Sequence, residues 1–237
     1  MTIPRLVIFP NIVAKEIHGF SDASISAYGA VLYVRNIFAD GRAELRLLPS
    51  KSKVAPIAEL SIPRKELLAA RLLSRLVVKV MQSLKLKFDD VVLWSDSQIV
   101  LAWLCKPLTS LQVFVRNRVA EITTKTKDFT WKYISTKENP ADIVSRGSLP
   151  NSLISNELWW KGPPFLRLIY FKTQPPVRLP DEDLSELNLT AYVSAVTYNA
   201  DNLPVFSKFT SFRKLQRMIA YVLRFISNCR IKDPELR

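Results

Sequence analysis

Residues 61–84, SIPRKELLAARLLSRLVVKVMQSL, repeat their apolar positions with a period that only an α-helix can bury. Leu67, Ala70, Leu73, Val77 and Val80 fall on one stripe. Ser61 stands where an N-cap belongs, and Pro63 occupies the first turn, where its missing N–H costs nothing. Glu66 lies on the same stripe and reads as a first-turn acid. A helix of this length needs a cover for its stripe, and its flanks supply strands. Upstream, EIHGFSDASISAYGAVLYVR (16–35) gives two β-leaning stretches joined as a hairpin, and RAELRLLPSKSK (42–53) adds a third strand. Downstream, VVLWSD (91–96) is a buried strand that runs straight into the helix-like SQIVLAWL. A second helix near 110–124 and a fifth strand at FTWKYI (129–134) follow, and ENPADIVSRG starts a short last helix after Pro140. This order predicts an α/β fold with a five-stranded mixed sheet flanked by helices.

Past Gly147 the character changes. Residues 157–180 hold five prolines and clustered aromatics and read as extended; residues 181–202 are acidic, then polar, and loop-like. Residues 206–230 carry a helical rhythm through Phe212, Leu215, Ile219, Val222, Leu223 and Ile226, together with Lys208, Arg213, Lys214, Arg217, Arg224 and Arg230. The expected organisation is therefore a connector at 1–13, the main domain at 14–150, a Pro-rich and acidic connector at 151–205, and a basic amphipathic segment at 206–237.

The net charge of +13 and pI near 9.9 make a polyanion the natural partner class, although a merely soluble basic protein has the same charge. Cys105 and Cys229 are isolated from each other and from any Cys/His cluster, which excludes a disulfide framework or a zinc site. No apolar run reaches bilayer-spanning length, so no membrane association and a soluble, cytoplasmic protein are expected.

Two strands end alike, in Phe20-Ser21-Asp22 and Trp94-Ser95-Asp96. Either aspartate alone is ordinary turn or cap chemistry, but the repeat is less so. Glu66 points toward the core, where an unpaired charge is expensive unless a cation offsets it; Asp142, just after Pro140, is also normal helix-start chemistry. Gathered together, such acids suit phosphodiester hydrolysis, which uses one ion to activate water and another to stabilise the leaving oxygen, with hard Mg²⁺ seeking oxygen ligands. His18 is the sole histidine, so a Ser-His-Asp mechanism is poorly supplied.

The strings HGFSDASISAYGAVLYVR, SKSKVAPIAELSIPRKELLAARLLSRL, VVLWSDSQIVLAWL, FVRNRVAEI, ENPADIVSRG and LWWKGPPFL, in this order over about residues 1–170, resemble the ribonuclease H region of BEL/Pao-type LTR retrotransposon polyproteins. The resemblance implies a ribonuclease H-like fold in which the first and fourth strands run side by side. It implies Asp22, Glu66, Asp96 and Asp142 as catalytic ligands of two Mg²⁺ ions, with Mn²⁺ as a substitute. Cleavage of the RNA strand of an RNA–DNA hybrid during reverse transcription follows from it, with the reverse transcriptase and integrase regions of one polyprotein as partners. Residues 206–230 resemble the segment that precedes the integrase zinc-binding region, without its zinc ligands. The loop Ser135-Thr136-Lys137-Glu138-Asn139 lacks the histidine that many ribonucleases H carry before the last acid, and Arg146 is a candidate substitute.

Backbone-directed binding makes Ser97 and Gln98, at the start of a helix beside Asp96, candidates for phosphate contact, along with Lys51, Lys53, Arg64, Arg116 and Arg118. Trp103, Trp131, Trp159 and Trp160 can stack on bases or pack in the core. The competing view is a catalytically inactive, nucleic-acid-binding or structural remnant of such a polyprotein.

Overall fold

A computed structural model describes residues 6–56, 60–168, 179, 184, 186–187 and 211–230. Strands β1 (Ile12–Ala23), β2 (Ala27–Phe38) and β3 (Ala43–Val54) form an antiparallel meander. β4 (Asp90–Ser95) lies parallel to β1, and β5 (Thr130–Tyr133) parallel to β4, giving the order β3-β2-β1-β4-β5. The β1–β2 turn is tight because Ser24 closes it twice, with its N–H on the Ala27 carbonyl and its hydroxyl oxygen accepting from the Ser26 and Ala27 amides. Gly41, at φ 86°, turns β2 into β3.

Helix α1 (Ile62–Leu84) begins after Ser61 with proline in its first turn and stops where Lys85 turns left-handed at φ 53°. Leu73, Val77 and Val80 of its predicted stripe are buried on β1, β2 and β4 with Ile17, Leu32 and Leu93, while Leu67 and Ala70 are buried with Val100 and Trp103. Gly19 permits the close approach, since a Cβ there would lie 2.7 Å from Leu73 Cδ1. Glu66 falls in the second turn, so the first turn of α1 holds no acid and the helix dipole gives no reason for it. Helices α2 (Gln98–Cys105) and α3 (Val113–Lys125) pack on α1 around Trp103, Val115 and Val119.

The other sheet face is covered by α4 (Ala141–Arg146) and by a segment that the proline content misrepresents. After α5 (Pro150–Ile154), residues from the stretch expected to be extended instead form α6 (Glu157–Lys161) and a 3-10 turn (Pro164–Arg167), packed on Phe20, Tyr33 and Trp94. Proline is barred only from helix interiors, and Pro150 and Pro164 sit at helix starts, while Asn156 caps α6 by accepting from the Trp159 amide at 2.9 Å. Trp159 and Leu166 are buried, each contributing roughly 2 kcal/mol by area. The Tyr33 hydroxyl donates to the Trp159 carbonyl at 2.7 Å, and Arg35 donates to the Leu166 and Leu168 carbonyls. The packed domain thus runs past the boundary at 150.

The chain divides into compact units at 1–191 and 192–237. Within the second, helix α7 (Phe212–Arg230) forms as its rhythm predicts. The rest of the loop-like reading at 181–202, apart from residues 184, 186 and 187, lies outside the described residues. Among the described residues no helix is long and apolar enough to cross a membrane.

Candidate active site

The pairing of β1 with β4 brings Ser21 level with Ser95, so the next residues, Asp22 and Asp96, leave adjacent parallel strands side by side. Across the sheet Asp22 faces Gly29, and a Cβ on Gly29 would meet Val144 at 2.6 Å; the missing side chain lets α4 settle against the end of β1. Asn139 fixes that placement: buried, it donates from Nδ2 to the Ser21 carbonyl at 3.0 Å while its oxygen accepts from the Ala141 amide at 3.1 Å. Asp142 follows in the first turn of α4. From the opposite layer α1 brings Glu66, which takes a hydrogen bond from Ser97.

Each acid is held by a small polar group or a cation. The Ser145 hydroxyl donates to Asp22 Oδ2, the Thr136 hydroxyl to Asp96 Oδ2 at 2.8 Å, and Arg146 Nε to Asp142 Oδ1 at 2.5 Å. These partners do not satisfy the site. Burial raises the pKa of Asp22 to about 6, with the Asp96 and Asp142 charges adding to it against the Ser145 hydrogen bond. Burial raises Glu66 to about 7, again with Asp96 and Asp22 adding to the shift. Asp96 is raised by burial first and by Asp142 too, although Thr136 and the Asn139 amide oppose this. Asn139 leans toward Asp96 without completing a bond of ordinary geometry to Oδ1, which is buried and has no hydrogen-bond partner.

A buried carboxylate oxygen without a donor, among carboxylates that repel one another, fits a cation as the missing partner. As they stand, no three Asp, Glu, His or Cys side chains among the described residues form a ready ion-holding group. Ser145, Thr136 and Arg146 each draw one acid toward themselves.

The other phosphate-contact candidates separate into four places. Ser97 caps α2, accepting from the Val100 amide at 3.3 Å, and Gln98 lines a depression of about 540 Å³ with Glu66, Asp96, Ile62, Pro63 and Leu179. Arg146 is exposed beside Asp142. Lys51 and Lys53 are exposed on β3, the sheet's edge strand. Arg64 and Arg118 meet on the ring of Phe114 in the α1–α3 face, and Arg116 is half-buried on α3. Trp103 and Trp159 are core residues, while half-buried Trp131 and Trp160 donate their indole N–H to Thr126 and the Leu153 carbonyl. His18 is fully buried, with Nδ1 accepting from the Trp94 indole at 3.1 Å and Nε2 facing Glu16 at 3.0 Å. Sequence reasoning missed Thr136, Asn139 and Ser145; the only signal was the Asn-Pro pair opening α4.

The strand order, the parallel β1–β4–β5 half and the acids at the ends of β1 and β4 define a ribonuclease H-like domain. More particularly, residues 1–97 match the family model described as the Pao retrotransposon-like RNaseH-like domain. That stretch holds β1 to β4 with Asp22, Glu66 and Asp96, and ends before Asp142 and before residues 206–230. No curated protein sequence matches the chain. Similar solved structures include an N-terminal RNase H domain from Mycobacterium tuberculosis fused to maltose-binding protein, at 13% identity over 60% of this chain and 96% of that one, with a TM-score of 0.40. RNase H1 from Halobacterium salinarum matches at 13% identity over 54% of this chain and 89% of its own, TM-score 0.35. LC11-RNase H1, solved in complex with an RNA/DNA hybrid, matches at 15% identity over 59% and 99%, TM-score 0.36. At this identity the site's own residues must carry the functional reading.

Proposed function

We propose that the chain is a Mg²⁺-dependent endoribonuclease that cuts the RNA strand of RNA–DNA hybrids during retrotransposon reverse transcription. The observation that carries this is the uncompensated group of Asp22, Glu66 and Asp96 at the junction of β1, β4 and α1, the first buried and the other two half-buried, with Asp142 at its edge and Asp96 Oδ1 lacking a donor. Two Mg²⁺ ions held by these four acids would activate water and stabilise the leaving 3′ oxygen. Asp22 and Asp96 leave the rigid sheet and set the centre of the site, while Glu66 and Asp142 close it from α1 and α4. Raised proton affinity keeps Glu66 and Asp22 partly protonated near neutrality, so the acids become fully charged, and best able to hold cations, as pH rises above about 7. Arg146 lies where a cation would meet a phosphate beside Asp142. Gln98, at the start of α2, lines the adjoining depression and suits the hybrid's backbone.

The test is cleavage of a hybrid carrying a label on the RNA strand, with single-stranded RNA and duplex DNA as controls. The proposal expects Mg²⁺-dependent products with 5′-phosphate and 3′-hydroxyl ends from the hybrid. An intact hybrid, or cutting that persists in EDTA, refutes it. The inactive-remnant alternative predicts hybrid binding with no cleavage at any Mg²⁺ concentration.

A further inference from the structure

Leu179, Leu184, Glu186 and Leu187 lie against the helical face next to the carboxylates. Residues 179–187, LPDEDLSEL, contain four acids and no base. Leu179 lines the depression that also holds Glu66 and Asp96. Leu184 is buried among α1, α2 and α3, and Leu187 bridges to Leu111. Between these anchors the Glu186 carbonyl accepts from the Gln112 amide at 2.9 Å, and its carboxylate takes both arms of Arg64, at 2.7 and 2.8 Å.

The place it fills is built for an anion. Arg64 and Arg118 lie over the Phe114 ring at 4.8 and 3.5 Å, with Arg71 close enough to depress Arg118 after burial has done so. Arg118 Nε is buried without a hydrogen-bond partner, although Nη1 reaches the Phe114 carbonyl at 2.8 Å. Arg64 therefore holds the Glu186 carboxylate with both arms, and the neighbouring Arg118 keeps a buried donor unused. A forked Arg–carboxylate pair has the geometry of an Arg–phosphate pair, and a phosphate offers one more acceptor oxygen. Glu186 also sits at φ 70°, a conformation that non-glycine residues rarely adopt, so the backbone gives up some stability to put this carboxylate here.

We propose that Glu186 is an internal stand-in for a backbone phosphate, occupying an anion site at Arg64 beside Arg118, and that a bound RNA–DNA hybrid displaces it. The identity of the ligand rests on the function proposed above; the site itself rests on the α1–α3 contacts. Glu186 then lowers affinity for polyanions until a hybrid long enough to span both the depression and the arginines competes it off.

The full chain is tested for binding to a labelled hybrid in EDTA. Glu186→Gln keeps the size of the side chain and should tighten binding about fivefold, near what releasing one partly buried ion pair is worth. Arg64→Gln added to it should cancel the gain. In the unsubstituted protein, hybrid should speed hydrogen exchange of the Gln112 amide, which loses the Glu186 carbonyl. Unchanged or weaker binding by Glu186→Gln, or a Gln112 amide still protected under saturating hybrid, overturns the proposal and marks the pair as purely structural. If the unsubstituted protein fails to cut hybrid with Mg²⁺ while the Glu186→Gln gain appears, the anion site stands and the nuclease reading falls. Cleavage without that gain is the reverse result.

Discussion

Strand β1 carries buried charge near both ends, and the two groups are built in opposite ways. Near its start, Glu16 receives Arg35 Nη1 at 2.8 Å and faces His18, whose other nitrogen accepts from Trp94. Burial alone would raise Glu16, but hydrogen bonds from His18 and Arg35 prevail and hold it near 2. His18 is lowered mainly by burial, and Arg35 uses its remaining donors on the Leu166 and Leu168 carbonyls. Four residues beyond His18, Asp22 is raised to about 6 by burial and by the Asp96 and Asp142 charges, which Ser145 and Arg146 do not offset. One end of the strand satisfies itself, and its product is a fastened C-terminal segment. The other end is left short of positive charge, which is what a site for a cation requires.

This contrast can be broken by substitution. The largest effect is expected from Asp96→Asn, which should reduce hybrid cleavage by at least about a hundredfold, as removal of a charge-stabilising group from an active site typically does; single-turnover rates measure it. Next is Arg35→Ala, which leaves Glu16 unpaired and frees the Leu166 and Leu168 carbonyls. It should cost about 3 kcal/mol in urea unfolding.

Titration sharpens the same comparison. Asp22 and Glu66 have raised folded pKa values, near 6 and 7, so between about pH 4 and 7 the folded state holds protons that the unfolded state has released. Stability of the metal-free protein is therefore greatest on the acid side of that window and falls as pH rises through 6 to 7. Glu16, depressed to about 2, contributes in the other sense: its stabilisation is complete above about 4.5 and is lost as pH falls toward 2. Urea unfolding in EDTA across pH resolves both limbs. The smallest effect belongs to Glu66→Gln, which removes a buried charge while retaining an acceptor for Ser97 and should raise metal-free stability at pH 8 by about 1 kcal/mol.

Much of this was visible in the residues. Five strands and the α1 stripe follow from periodicity, because a buried face imposes its spacing on the chain. The partnership of Asp22 with Asp96 was hinted at by the repeated Ser-Asp strand ends, but the register that makes them neighbours, Ser21 level with Ser95, depends on pairing across more than seventy residues. Glu66 was placed one turn too early, and the dipole explanation for it disappeared with the correction. Residues 157–168 were not legible as helical because proline suggests extended chain, whereas Asn156 and Pro164 start helical turns whose aromatic residues close the sheet. Thr136, Asn139 and Ser145 were invisible for a different reason: small polar residues near helix starts are common, and only the folded chain shows which of them faces a carboxylate.

The central claim is that β1, α1, β4 and α4 hold a group of acids that needs a divalent cation to be at rest. The most direct measurement is the thermal unfolding midpoint at pH 8 as Mg²⁺ is titrated into metal-free protein. The midpoint should climb with Mg²⁺ and saturate, and most of that climb should vanish in Asp96→Asn. A midpoint indifferent to Mg²⁺, or one that climbs equally in the variant, contradicts the account.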